Sequence, residues 1–505
     1  MTPPEPGGPN HFTNPVAGVA VGDPFVLRHR GRFYLYGTND GPPLPEGRVV
    51  PVFRSDDLIH WVALGGALVP GEPGLDHWAP EVLAWNGRFY MVVSFGDVDR
   101  RGHELWVAVA DRPEGPFRLR TRVSDPSERF SIDGSWLLDD DGHLYLFRCL
   151  DFVAEGDPPY GTGIVVQPMR DPLTPDGTPR TVLRAHAPWH LFEPDRLMPL
   201  YGGVRFPAWT TIEGPAPVKR DGRYYCGYSG GNYAGEYGTG EAVADAPLGP
   251  YHDLRGREGP LFGTTPNLVE GPGHFSVVST DLVHDWIVLH GRVPGEPLRR
   301  VWLCPASWDQ DGVQVGRLTD RPQPPPPMPT DLSRFAQPTG SSPDGWRTES
   351  SHWRIVGDGL RHDPDHEGGD ATAWRDGVVL TGDWSAEVFL RFPDVGAGSR
   401  AGVEIGSGLA RLHVVVSAAN GGEVVAAEGD SPSVSRPLPI LGGDPFDLAA
   451  FHAVEIRARG GRADVRIDGV LLVAGVAVPS EPAEFGLYAG GPAIFDAVSI
   501  TLTNR

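Results

Sequence analysis

The chain has 505 residues and a formal net charge of −22, a length that suits two or three domains. The acidic balance, with Lys219 as the single lysine, argues against a nucleic-acid partner, because a phosphate backbone is bound through clustered Lys and Arg. No apolar run is long enough for a membrane-spanning helix, and the opening stretch MTPPEPGGPNHFTNPVAG has neither the charged nor the apolar region of a secretory leader. The expectation is a cytoplasmic protein, or a secreted one if a leader has been removed, with no membrane partner.

In chain order, the first strand signal is GDPFVL, carrying Asp23. A hairpin follows, HRGRFYLYG from His29, with alternating aromatic and apolar residues after a Gly turn. SDDLIHW (55–61) reads as an outer hairpin. The same pair of signals recurs as APEVLA (Glu81) with WNGRFYMVVS from Trp85, and as IDGSWLL (Asp133) with DDGHLYLFR from Asp140. It recurs again as IEGPAPV (Glu213) with RDGRYYCGYS from Arg220. A weaker fifth pairs GPGHFSVV (His274) with LHGRVPGEPLRRVWLCPASW from Leu289. The turn glycines are Gly31, Gly87, Gly142, Gly222 and Gly291. Their spacing, about 55 to about 80 residues, is that of propeller blades carrying loop insertions. ADRPEGPF (110–117) and ADAPLGPY (244–251) are near copies, as equivalent outer segments of two blades would be.

Five blades are therefore expected within residues 1–320. The first strand of a blade lines the central channel, so Asp23, Glu81, Asp133, Glu213 and His274 would converge there. The cluster Asp139, Asp140 and Asp141 sits at a hairpin tip and reads as turn chemistry. APWHLFEPDRLMPLYGGVRFPAW (187–209) is an insertion expected to face substrate. Prolines in RPQPPPPMP make 321–330 a semi-rigid linker. Residues 331–505 alternate in short runs such as WSAEVFLRF and HAVEIRARG, the pattern of an antiparallel β-sandwich. The fold class is all-β: a five-bladed β-propeller followed by a sandwich. Cys149, Cys226 and Cys304 each lie in an apolar run without metal-ligand spacing, which predicts buried free thiols.

Carboxylates at the ends of channel-lining strands suit glycoside hydrolysis. One carboxyl must be held protonated to donate to the leaving oxygen, and another must be ionised to activate water or attack the sugar. A third can raise the acid's pKa by like charge. Glu213, after two Thr and an Ile, has the apolar setting that favours a protonated carboxyl.

These motifs, in this order, resemble glycoside hydrolase family 43: GDPFVLRHRGRFYLY, HWAPEV, SIDGSWLLDDDGHLYL, TIEGPAPVKRDGRYYCGYSGG, GPGHFSVV and WLCPASWDQDG. The resemblance spans about 300 residues. It implies Asp23 as general base, Asp133 as the residue that tunes and orients the acid, Glu213 as general acid, and inversion at the anomeric carbon. It also implies that Glu81 supports the site, and that His274 lies near the channel axis, close to a bound calcium or water. Calcium is the single metal it suggests, and no cofactor is required. Trp78 is expected to line the sugar pocket, Trp209 is a candidate stacking platform, and Arg292 is a candidate substrate contact. His290 sits where the family often has a Tyr-His pair, with Leu289 in place of the Tyr. RDP at 170–172 is similar to a motif of sucrose-active, retaining relatives, but no matching Glu-Cys occurs.

The C-terminal part resembles the concanavalin-like sandwiches appended to such enzymes. In some of these a sandwich loop closes over the active site; in others the domain only packs or binds sugar. The activity implied is exo-acting removal of terminal α-L-arabinofuranosyl or β-D-xylosyl residues from an oligosaccharide. The alternatives are an exo-β-1,3-galactanase or endo-arabinanase, and a carbohydrate-binding protein without catalysis.

Overall fold

A computed structural model describes residues 11–503, except for short segments at 72–74, 98–100, 157, 256–258, 349–351, 358, 365–368, 397, 408–409, 420–421, 429–433, 439–444 and 480–481. The first ten residues of the stretch inspected for a leader thus lie outside the described residues.

Five four-stranded units surround one axis. Blade 1 is Gly22–His29, Arg32–Thr38, Val49–Ser55 and Trp61–Val69. Blade 2 is Asp76–Trp85, Arg88–Asp97, Gly102–Ala110 and Phe117–Arg122. Blade 3 is Ser131–Leu138, Leu144–Phe152 and Gly161–Asp171, edged by Arg180–Leu183. Blade 4 is Ile212–Arg220, Arg223–Gly231, Tyr237–Ala244 and His252–Asp253. Blade 5 is Glu270–Ser279, Asp285–Arg292, Arg299–Asp309 and Gly312–Val315. Each first strand packs against the first strands of its neighbours, and that of blade 1 meets that of blade 5. The ring is tied shut by residues 12–16. Val16 N donates to Val301 O at 2.8 Å, Asn14 exchanges two hydrogen bonds with Leu303, and Phe12 bridges Gln323 in the proline-rich segment.

The fifth repeat differs from the sequence expectation. Gly291 lies inside a strand, opposite Arg300, and the blade 5 hairpin turns at Thr280–His284 instead. Asp281 builds that turn without glycine, because its Oδ1 accepts from the backbone N–H of Val283 and His284.

The inner strands share one irregularity. Their pairing register shifts near the N-terminal end, and a residue there has positive φ: Asp23, Ala79, Asp133, Gly214 and His274 in blades 1 to 5, with Gly271 a second in blade 5. Such bulges re-aim side chains at strand ends. All five occur at the same end of the channel.

Residues 331–503 form the sandwich. One sheet has eight strands, centred on Trp384–Arg391 and Ala493–Leu502; the other has seven, centred on Ala483–Ala489 and Arg400–Ser407. Val388, Ile456, Phe495 and Ile500 share one core with Val403, Val414, Phe485 and Leu487. The first strand, Asp331–Ser333, pairs with Ala493–Leu502 directly after the proline run.

The sandwich docks on the hairpin tips, at the other end of the blades from the bulges. Arg30 pairs with Asp496, Asn86 bonds Pro445 and Asp447, Asp140 pairs with Arg466 at 2.9 Å, and Asp281 O accepts from Ser385. The acidic tip is thus more than a turn: Asp139 holds Lys219 and Tyr224, and Asp140 joins the two domains. Six residues of strand, about 20 Å, separate Asp23 from His29 at the docked end. Among the described residues, the hydrogen bonds and ion pairs between sandwich and blades all lie at the docked end.

Candidate active site

Asp23, Asp133 and His274 are the bulge residues of blades 1, 3 and 5, so the same backbone distortion delivers all three side chains to the axis. Positive φ is better tolerated by Asp and His than by most side chains. His274 Nδ1 lies 3.3 Å from Asp23 Oδ1 and 3.9 Å from Asp133 Oδ2. Glu213 stands one residue before the blade 4 bulge. The N–H of the bulge residue, Gly214, donates to Asp133 Oδ2 at 2.9 Å, so Asp133 fixes the backbone that carries Glu213.

Asp23 is the most heavily bonded of the three. Arg299 Nη1 donates to Oδ1 at 2.8 Å, and Thr38 Oγ1 donates to Oδ2 at 2.6 Å. Its own backbone N–H donates to His290 Nδ1 at 3.0 Å. Arg299 also clamps Asp40 through two bonds of 2.7 Å. Gly22 makes room for this: a Cβ there would fall 1.8 Å from the Arg299 guanidinium carbon. Glu213 Oε1 accepts from Tyr237 Oη at 2.8 Å. The Tyr237 ring lies over Gly273, where a Cβ would come within 2.2 Å of it, and stacks parallel to His290.

Burial raises the pKa of any carboxyl at this depth, but the neighbours then set Asp23 apart from the other two. At Asp23 burial is outweighed by Arg299 first and then His274, and the carboxyl sits well below its ordinary range. Glu213 is pushed up to about 7 by burial, with Asp23 and Asp151 adding like charge against the Tyr237 hydrogen bond. Asp133 is raised to about 7 by burial, then by Glu213 and Asp23, with His274 opposing. His290 falls to about 4, chiefly through burial, which agrees with an unprotonated Nδ1 that accepts from Asp23 N. One carboxylate held ionised and one carboxyl held protonated is the division that acid–base chemistry requires.

Glu81 does not join the channel. The bulge residue of blade 2 is Ala79, and Glu81, two residues on, is 7% exposed and accepts from Ser135 Oγ at 2.8 Å. Burial raises its pKa to about 8. Trp78 occupies the place that matches Glu213 and is half-buried, with one face stacked on His103 at 3.8 Å. Trp209 differs from the expectation. It is 4% exposed and packs against Phe206 inside the insertion hairpin (Leu191–Met198 and Val204–Thr210), so it offers no free face to a sugar. Arg292 Nη1 donates to Tyr233 O at 2.7 Å and so braces a rim turn; the arginine against a channel carboxylate is Arg299, on Asp23.

The residues around His274 do not fit calcium, which prefers six to eight oxygen ligands. His274 turns Nδ1 toward two carboxylates, and among the described residues no group of three or more His, Cys, Asp or Glu is arranged to hold an ion.

Arg299, Thr38, Asp40, Tyr237 and Asp151 were not picked out by sequence. The one available signal was Gly22, a glycine in GDPF that no hairpin turn requires. Asp151 closes the second strand of blade 3, is raised to about 7 by burial, and accepts from Tyr201 of the insertion at 2.8 Å.

The profile described as "Glycosyl hydrolases family 43" matches residues 12–314, which covers all five blades. A thermostable family-43 glycoside hydrolase of known structure is 31% identical, with a TM-score of 0.51, over 63% of this chain and 99% of that one. Extracellular endo-alpha-(1->5)-L-arabinanase 2 of Bacillus subtilis (strain 168) is 23% identical over 48% of this chain and 54% of its own length. Alpha-L-arabinofuranosidase 43 of Humicola insolens is 24% identical over 64% of this chain and 66% of its own length. The chain thus spans between about a fifth and two thirds of the length of the curated relatives it matches.

Proposed function

The chain belongs to glycosyl hydrolases family 43, and from that premise we propose that it is an inverting, exo-acting hydrolase that removes terminal α-L-arabinofuranosyl or β-D-xylosyl residues from plant-type oligosaccharides. The observation that carries the reading is the opposite treatment of Asp23 and Glu213, the first held ionised by Arg299 and the second held protonated by burial. Glu213 donates its proton to the glycosidic oxygen as the bond to the anomeric carbon breaks. Asp23 takes a proton from a water that attacks the opposite face of that carbon. Asp133 accepts from Gly214 N and so keeps the Glu213 carboxyl aimed. Two features support exo action. Arg299 and Asp40 wall off the Asp23 side, and the insertion hairpin stands directly before Glu213. The pentose reading draws on the relatives, whose names include both an arabinofuranosidase and a beta-xylosidase.

Glu213→Gln tests the assignment. On an oligosaccharide its kcat should fall by about 10²–10⁴-fold. On a dinitrophenyl glycoside of the same sugar, whose leaving group needs no proton, the loss should be far smaller. Equal losses on both substrates would overturn Glu213 as the acid. The wild-type kcat/KM should decline above about pH 7, as Glu213 ionises, and that decline should be absent in the variant acting on the dinitrophenyl glycoside.

A further inference from the structure

The two walls of the site differ in chemistry. On the Asp23 side stand Arg299, Asp40 and Thr38, all polar and tied to one another. On the Glu213 side, blade 4 rises into the turn of residues 232–236, between Arg223–Gly231 and Tyr237–Ala244. That turn ends in Tyr237, which bonds Glu213. Beside it stands the insertion hairpin, whose second strand runs straight into Ile212 and Glu213. The two are joined where they meet. The Phe192 and Tyr233 ring centroids are 6.1 Å apart, and Asn232 Nδ2 donates to Phe192 O at 3.3 Å. Arg292 braces the turn from blade 5 through Tyr233 O. Phe192 is itself backed by the Arg196 guanidinium, 4.2 Å from its ring. Tyr233 remains 48% exposed, although its carbonyl is held by Arg292 and the preceding Asn232 is tied to Phe192.

We propose that Tyr233, backed by Phe192, is a platform for the first sugar beyond the scissile bond, on the leaving-group side. This rests on the reading of Glu213 as general acid. The acid must touch the oxygen that leaves, so the departing sugar extends past Glu213, and the nearest rim there is this turn. A braced aromatic face exposed at such a rim covers the C–H face of a sugar ring and loses little conformational freedom in doing so. The ligand is therefore a glycoside whose leaving group is another sugar, in preference to one released from a small alcohol.

The test is a ratio: kcat/KM on a short xylo- or arabino-oligosaccharide divided by kcat/KM on the methyl glycoside of the sugar released. Tyr233→Ala should lower the ratio about three- to tenfold. Phe192→Ala should lower it less, and Tyr233→Phe, which keeps the ring, should leave it at the wild-type value. A ratio unchanged in both alanine variants of an active enzyme would overturn the platform and leave the proposed function standing. So would equal losses on both substrates, or a Tyr233→Phe ratio as low as that of Tyr233→Ala. A wild-type protein that hydrolyses no pentoside would overturn the proposed function, and the platform with it.

Discussion

Asp23 and Glu213 are both half-buried acids, and what chiefly separates them is the guanidinium bonded to Asp23, with His274 beside it. Arg299 reaches Asp23 because Gly22 has no side chain, and it is held there by Asp40. Removing the charge while keeping the bulk, as in Arg299→Met, should let burial act on Asp23 unopposed by its main partner. The acid limb of kcat/KM against pH should then move up by about 1–3 units. An acid limb at its wild-type position would show that His274 suffices. Asp23, Asp133 and His274 were legible in sequence because each is the polar residue of a short strand motif that stands before a hairpin and recurs blade by blade. Arg299 and Tyr237 were not, because they reach the site from third strands, Arg299 across to the neighbouring blade, with no repeat to mark them. Trp209 was misread because an aromatic that alternates toward a catalytic residue looks the same in sequence whether it faces a sugar or fills a hairpin.

At the scale of the element, the inner strand is the unit that repeats, and its bulge sets which side chains face the channel. Sequence located the five strands, since Gly turns and aromatic alternation mark hairpins. It could not locate the bulge within each, and a shift of one or two residues decides exposure. Glu81 shows the cost: two positions past Ala79, it lies buried beside Ser135. Its pKa is raised from 4.5 to about 8 in the fold. For an acid raised in this way the stabilisation is complete below about 4.5 and is lost as pH rises through about 8, because the unfolded chain ionises first. Asp133 and Glu213 have the same sign. The melting temperature should therefore fall between pH 5 and pH 8. Glu81→Gln, which keeps an acceptor for Ser135 and cannot ionise, should make that fall shallower and raise stability at pH 8 by about 1 kcal/mol, roughly 2 °C. Parallel melting curves for wild type and variant across this range would remove Glu81 from the account.

For the whole molecule, the position of the sandwich is what sequence left open, because docking depends on which loop ends meet and not on any motif. Four hairpin tips carry the contact, so the sandwich braces the blades from the end remote from the carboxylates. Among the described residues the most buried ion pair between the domains is Arg28–Glu387, a bidentate pair with bonds of 2.9 and 2.6 Å and side chains 11% and 6% exposed. Breaking a buried pair strands the remaining charge, so Arg28→Met should cost about 3–5 kcal/mol, whereas the double variant Arg28→Met/Glu387→Leu should lie within about 1 kcal/mol of wild type. Chemical denaturation gives both values. Arg28 is five residues along its strand from Asp23, about 16 Å, so kcat/KM in either variant should match wild type at temperatures well below melting. A change in KM would mean that the sandwich reaches the catalytic end after all. Destabilisation of the double variant equal to that of the single would mean that the pair itself, and not the stranded carboxylate, holds the domains together.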